Sequence, residues 1–263
     1  FKEIYNNSIK DPEKFWEEVS KDVFWYKKPS TSKILNRSNP PFYKWFEDGT
    51  TNTCYNALDI HIQNGLGDKT ALIYDSPITG KKSKFTFSNL KEKVAKFAWA
   101  LQNQGINKGD RVIIYMPMIP EAVIAMLACG RIGAVHSVVF GGFAANELAS
   151  RIDDSKAKIL VTASCGFEPG KTVKYKPLVD RALEIAKHKP EKLIIYQREG
   201  NEVDLNNKKE ISWDEVLKGA QEIDCVEMNA NDFAYILYTS GTTGIPKGIV
   251  RDIGGHIVAL KWT

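Results

Sequence analysis

The sequence has little cysteine and no paired pattern of it. Cys54, Cys129, Cys165 and Cys225 are scattered over 263 residues without a C-x-x-C spacing, which excludes a zinc ribbon or disulfide scaffold and fits unpaired thiols in a reducing compartment. Long hydrophobic runs are absent as well. The most apolar stretch, residues 112–143, is broken by Pro117, Pro120, Glu121 and Arg131, so nothing reaches the roughly 18 apolar residues of a membrane helix. Charge of one sign is nowhere concentrated: 36 Lys plus Arg against 32 Asp plus Glu leave +4 without a basic arm, and neither a nucleic-acid nor a membrane partner follows. Histidine is sparse. His61, His136, His188 and His256 form no H-x-x-x-H pair, so neither a metal site nor a catalytic histidine is assigned.

What is present describes a globular chain able to bury a sizeable core, 43% apolar, 26% charged and 11% aromatic. It opens on Phe1 rather than Met and stops at Thr263 inside a helical pattern. Both ends are therefore expected to be cuts in a longer protein, with any targeting segment preceding Phe1. Residues 1–64 are aromatic and short of strand alternation. Asp11-Pro12 supplies an N-cap and a first-turn proline for a helix carrying Phe15, Trp16, Val19 and Val23, and the segment reads as an arm wrapped on a larger body.

From Lys69 the pattern changes to short β-rich runs alternating with helical periods. A hairpin is expected around Ser76–Gly80, then a helix with Leu90, Val94, Phe97 and Leu101 on one stripe and Gly105 just past its end. Strands at 111–115, 135–139, 159–162, 192–196 and 233–238 alternate with helices at 120–130, 144–155 and 178–187, and Ser212-x-x-Glu215 opens another. This alternation predicts an α/β fold, a doubly wound, largely parallel sheet with ligands beyond the carboxyl ends of its strands.

Directly after the last strand stands Tyr238-Thr239-Ser240-Gly241-Thr242-Thr243-Gly244-Ile245-Pro246-Lys247-Gly248. A chance match to [ST]-S-G-[ST]-T-G-x-P-K-G is on the order of 10^-10 per window at average residue usage. Three glycines let the backbone approach an anion, four hydroxyls donate and Lys247 supplies countercharge, which together make a polyphosphate cradle. It is not a Walker loop. Counting from Gly241, Pro246 stands where that motif needs glycine, and Gly248 where it needs the magnesium-binding hydroxyl.

This loop resembles that of the adenylate-forming superfamily. The runs Tyr115–Glu121 and Ala134–Phe143, with the arm's Phe15-Trp16 and Trp25-Tyr26, resemble the short-chain acyl-CoA synthetases in particular. Gly166-Phe167-Glu168-Pro169-Gly170-Lys171 and Gly248-Ile249-Val250-Arg251 resemble the propionate-type branch, since acetate enzymes usually carry arginine at the place of Glu168 and histidine at that of Arg251.

The resemblance implies several assignments. The chain is the front part of the large N-terminal domain of such an enzyme: an arm of acetyl-CoA-synthetase type at 1–64 and an incomplete AMP-binding domain at 65–263, the C-terminal domain being absent. Thr239, Ser240, Gly241, Thr242, Thr243, Gly244 and Lys247 would hold ATP phosphates, usually with magnesium. Glu168, Pro169, Gly170 and Lys171 match the contact with the phosphorylated adenosine end of coenzyme A, and Phe140, Gly141 and Gly142 the loop near its pantetheine channel. A solvated turn and a plain strand-to-helix turn are the competing readings of those two segments. Glu168 departs from the pattern, because a carboxylate repels phosphate; Lys174 and Lys176 are nearby compensating charges.

The implied substrates are a short-chain carboxylate, ATP and coenzyme A, the implied address the mitochondrial matrix or else the cytosol. No catalytic residue falls within this span, and the fragment is expected to be inactive alone. The alternatives are a truncated, noncatalytic nucleotide- or coenzyme-binding interaction module and an adenylating enzyme with another acceptor.

Overall fold

A computed structural model of the chain describes residues 2–205, 207–239 and 246–263. The arm comprises helices α1 (Lys2–Lys10) and α2 (Pro12–Ser20), a 3-10 turn at Thr31–Lys33, the short strands β1 (Leu35–Asn36), β2 (Lys44–Trp45) and β3 (Thr50–Thr51), and π-helical turns at Tyr55–Asp59 and Ile62–Leu66. Asp11 caps α2 as its position predicts, accepting from the Lys14 N–H at 3.1 Å. Trp16, Trp25, Trp45 and Phe46 of the arm are packing groups, whereas Phe42 is 74% exposed. Trp25, Val23, Ile34 and Phe46 form a core with Ile253, Ile257 and Val258 near the end of the chain.

Next come the predicted hairpin, β4 (Thr70–Ser76) and β5 (Lys81–Thr86), and helix α3 (Phe87–Asn103). The expected stripe of Leu90, Val94, Phe97 and Leu101 is buried, and Gly105 follows the C-cap at φ +91°, a left-handed conformation that favours glycine. The alternating series is β6 (Arg111–Met116), α4 (Pro120–Ile132), β7 (Val135–Phe140), α5 (Ala145–Ser155), β8 (Ile159–Ala163), the hairpin β9 (Cys165–Glu168) and β10 (Lys171–Lys174), and α6 (Tyr175–Ile185). It continues through β11 (Lys192–Tyr196), β12 (Glu210–Ser212), α7 (Trp213–Val216), β13 (Met228–Asn229), β14 (Phe233–Thr239), β15 (Lys247–Asp252) and α8 (Ile253–Trp262).

Seven strands make the main sheet in the order β12-β11-β8-β6-β7-β14-β15, parallel except for the antiparallel edge strand β15. The doubly wound α/β expectation holds. Leu90, Phe97, Ile124 and Trp213 from α3, α4 and α7 pack on one face of the sheet, Leu148, Ile152, Val179 and Ala182 from α5 and α6 on the other. Three details differ from the sequence reading. The segment 165–174 is a β-hairpin turning at Pro169-Gly170, with Gly170 at φ +73°; α6 starts at Tyr175 rather than Leu178; and β15 adds an exposed edge. Among the described residues no helix is long and apolar enough to cross a membrane.

One buried charge ties the arm to the sheet. Arg131, at the end of α4 with its side chain 0% exposed, donates to both Asp59 carboxylate oxygens at 2.8 and 2.9 Å and through Nε to the Ile223 carbonyl at 2.6 Å. Asn52 fastens the same junction, its amide donating to the Gly130 and Val226 carbonyls at 2.9 Å each. Arg131→Met should cost about 3–5 kcal/mol in denaturant unfolding, because Asp59 loses its countercharge. Adding Asp59→Leu should return part of that loss.

Candidate functional site

Strand order locates the ligand crevice before any side chain is considered. Counting only the parallel strands from β6, the order is fifth, fourth, third, first, second, with a sixth, β14, beyond the second; the winding reverses between β6 and β8. β6 runs into α4 on one face, whereas β8 leads through the β9–β10 hairpin to α6 on the other. The two diverging segments leave a crevice at the carboxyl ends of these strands, as in other doubly wound sheets. A cavity of about 330 Å³ occupies that place, lined by residues 116–119 after β6, 138–142 at the end of β7, Phe167, Glu168 and Tyr175 after β8, and Arg198 after β11.

Two of the sequence-predicted segments meet there. Phe140, Gly141 and Gly142 lie on one wall and Glu168 on another; Pro169, Gly170 and Lys171 belong to the hairpin that carries Glu168. Gly141 has a packing reason to be glycine. A Cβ there would strike the Tyr175 hydroxyl and stand 2.9 Å from the Met116 carbonyl. Gly166 approaches the same hydroxyl, at 2.5 Å from a built Cβ, so two glycines make room for one phenol. Tyr175 is buried and its pKa is pushed up to about 12, chiefly by burial. It stays a neutral donor over the physiological range. Phe140 and Gly142 are exposed at the rim, which is closed by Tyr115 donating from its hydroxyl to the Phe143 carbonyl at 2.8 Å.

Two charges at the hairpin turn pair with each other. Lys171 stands opposite Glu168 in the β9–β10 register and its ammonium lies 2.9 Å from the Glu168 carboxylate. Lys176, a compensating charge by sequence, points elsewhere: it is buried between Asp180 and Glu210 at 2.7 and 3.1 Å. The cation that does face the cavity is Arg198, which carries no sequence motif. It is 9% exposed, its backbone N–H donates to the Ser164 hydroxyl at 2.9 Å, and its guanidinium lies 4.8 Å from the Phe167 ring centroid.

Of the residues expected by sequence to hold phosphates, Ser240, Gly241, Thr242, Thr243 and Gly244 lie outside the described residues. The two ends of the motif are described. Thr239 and Lys247 are register partners in the antiparallel β14–β15 pair, at the carboxyl end of β14. Tyr238, one residue earlier, donates to Asp154 at 2.6 Å, and Arg151 lies 5.2 Å from the Tyr238 ring centroid and 5.0 Å from that of Phe143. One cation of α5 thus rests on the strand before the loop and on the crevice rim.

A second, more apolar cavity of about 400 Å³ lies between α4 and β14, lined in part by His136, Tyr235 and His256. His136 Nδ1 is buried and finds no hydrogen-bond partner among the described residues, and the His136 pKa is lowered to about 4, first by burial and then by His256. Among the described residues no carboxylate lines this cavity. The unfolded chain takes up the His136 proton first, so stability should fall as pH drops from about 6.5 towards 4, by up to about 3 kcal/mol. His136→Phe should flatten that slope in urea titrations. At the crevice, Gly141→Ala should lower the thermal unfolding midpoint, and Tyr175→Phe in the same chain should recover part of it.

Comparison with known proteins yields consistent matches. Residues 61–262 match the family model described as AMP-binding enzyme, and residues 1–57 the model described as acetyl-coenzyme A synthetase N-terminus. The chain is 51% identical over 264 residues to acyl-CoA synthetase short-chain family member 3, mitochondrial, of Rattus norvegicus, covering 100% of this chain and 38% of that protein. It is 45% identical over 260 residues to acetyl-coenzyme A synthetase of Pasteurella multocida, covering 98% and 39%. Among solved structures, acetoacetyl-CoA synthetase from Streptomyces lividans superposes with a TM-score of 0.85 at 26% identity, over 97% of this chain and 38% of that one. The chain spans about two fifths of the length of the curated relatives it matches.

Proposed function

The chain belongs to the AMP-binding enzyme family, and from that premise we infer that it forms the front part of a short-chain acyl-CoA synthetase. The full protein would join a short carboxylate to the AMP part of ATP, releasing pyrophosphate, and pass the acyl group to the thiol of coenzyme A, releasing AMP. The observation that carries this reading is the phosphate-binding motif set at the carboxyl end of a sheet strand, its ends Thr239 and Lys247 paired across β14 and β15.

In this reading Thr239, Ser240, Gly241, Thr242, Thr243 and Gly244 bind the ATP phosphates through hydroxyls and backbone N–H groups, and Lys247 adds countercharge to departing pyrophosphate. Magnesium, bound with the nucleotide, would neutralise phosphate charge. The crevice below β6, β7 and β8 receives coenzyme A: Phe140, Gly141 and Gly142 border the thin pantetheine arm, and Glu168, Pro169, Gly170 and Lys171 form the hairpin beside its nucleotide end. Propionate is the proposed acid, on the strength of Glu168 and Arg251 and of the 51% identity to the short-chain family member 3 enzyme against 45% to the acetyl enzyme. The short-chain family member 3 relatives are mitochondrial proteins by name, which favours a mitochondrial address, the matrix being the compartment proposed. Lacking the remainder of the length its relatives have, the 263-residue span is proposed to be inactive by itself.

The test is acid-dependent pyrophosphate exchange by the full-length enzyme. Lys247→Ala should lower it roughly 10²–10³-fold, the cost of a lost transition-state donor. An unchanged exchange rate would remove Lys247 from the nucleotide site, and exchange independent of short acids would overturn the substrate assignment.

A further inference from the structure

The crevice and an adjoining cavity of about 390 Å³ share Arg198 in their walls. Every other described lysine lining them, or carried by the adjacent hairpin turn, is matched to a carboxylate: Lys171 to Glu168 at 2.9 Å, Lys81 to Glu199 at 2.7 Å, and Lys82 to Asp75 at 2.8 Å. The remaining carboxylate of these walls, Glu121, is engaged by the Tyr196 hydroxyl. Arg198 forms no ion pair with a described residue; its guanidinium meets the Phe167 ring. Arg198, 9% exposed as a whole residue, lines 330 Å³ of open crevice, where its guanidinium can meet an anion that enters. Its planar fork suits a phosphate, and the aromatic face beneath fixes its direction.

We propose that Arg198, held on Phe167, is the residue that recognises a phosphate of the coenzyme's nucleotide end, in place of the hairpin cation Lys171. The proposal rests on the coenzyme A reading of the crevice. It accounts for Glu168. A carboxylate next to a phosphate site is tolerated here because Lys171 neutralises it across the hairpin, which leaves Arg198 as the free positive charge among the described lining residues. The chemical class recognised is a phosphate ester or diphosphate, either the 3′-phosphate or the diphosphate bridge of coenzyme A.

The experiment compares kcat/KM of the full-length enzyme for coenzyme A, 3′-dephospho-coenzyme A and pantetheine. Arg198→Gln should reduce the preference for coenzyme A over pantetheine by about tenfold or more, Arg198→Lys by less. Loss confined to coenzyme A assigns the 3′-phosphate; loss shared with the dephospho form assigns the diphosphate. Phe167→Leu, which frees the guanidinium, should move the preference the same way and serves as the test should Arg198→Gln not fold. A wild-type preference that survives in the variants, or a uniform loss on all three acceptors, overturns the role of Arg198 while leaving the crevice reading intact. A wild-type enzyme with no preference among them overturns both.

Discussion

The divergence of the chain at the carboxyl ends of β6 and β8 is the constraint on which the rest depends. Parallel strands need crossovers, crossovers go to one face or the other, and here two neighbouring strands send theirs to opposite faces. The sheet therefore opens between them without any residue having been chosen for binding. Side chains then furnish the opening: Gly141 and Gly166 admit Tyr175, Tyr115 closes the rim, and Arg198 stands at its edge.

The arm is fixed to this body by means that differ from those of the sheet. Its aromatics bury apolar surface against α8, while its π-helical turns are clamped by Arg131 and Asn52 through hydrogen bonds to backbone and to Asp59. A charge so deep is kept because Asp59 and the Ile223 carbonyl engage its donors. This makes the junction specific in geometry, not merely adhesive.

Much of the fold was legible in the sequence, because period and caps agree there with tertiary structure. Asp11, Ser212 and Gly105 mark the ends they cap in the structure. The β9–β10 hairpin was not legible: its strands have four residues each, and Pro169-Gly170 reads equally as a turn or a ligand loop. Its consequence, the neutralisation of Lys171 by Glu168, depends on a register that spacing alone does not reveal. Arg198 was missed for a related reason. Nothing about an arginine after a strand distinguishes a pocket wall from a solvated loop until β8 and β11 are set side by side. β15 escaped because all but its last residue are exposed, which removes the alternation that marks a strand.

Arg151 touches two aromatic rings from different parts of the chain, Phe143 at the crevice rim and Tyr238 near the end of β14. A shift of either ring must be absorbed by the same guanidinium, itself anchored to Glu147 at 2.7 Å. The carboxyl end of β14 and the turn after β7 thus share one guanidinium, and a substitution at Arg151 would loosen both at once.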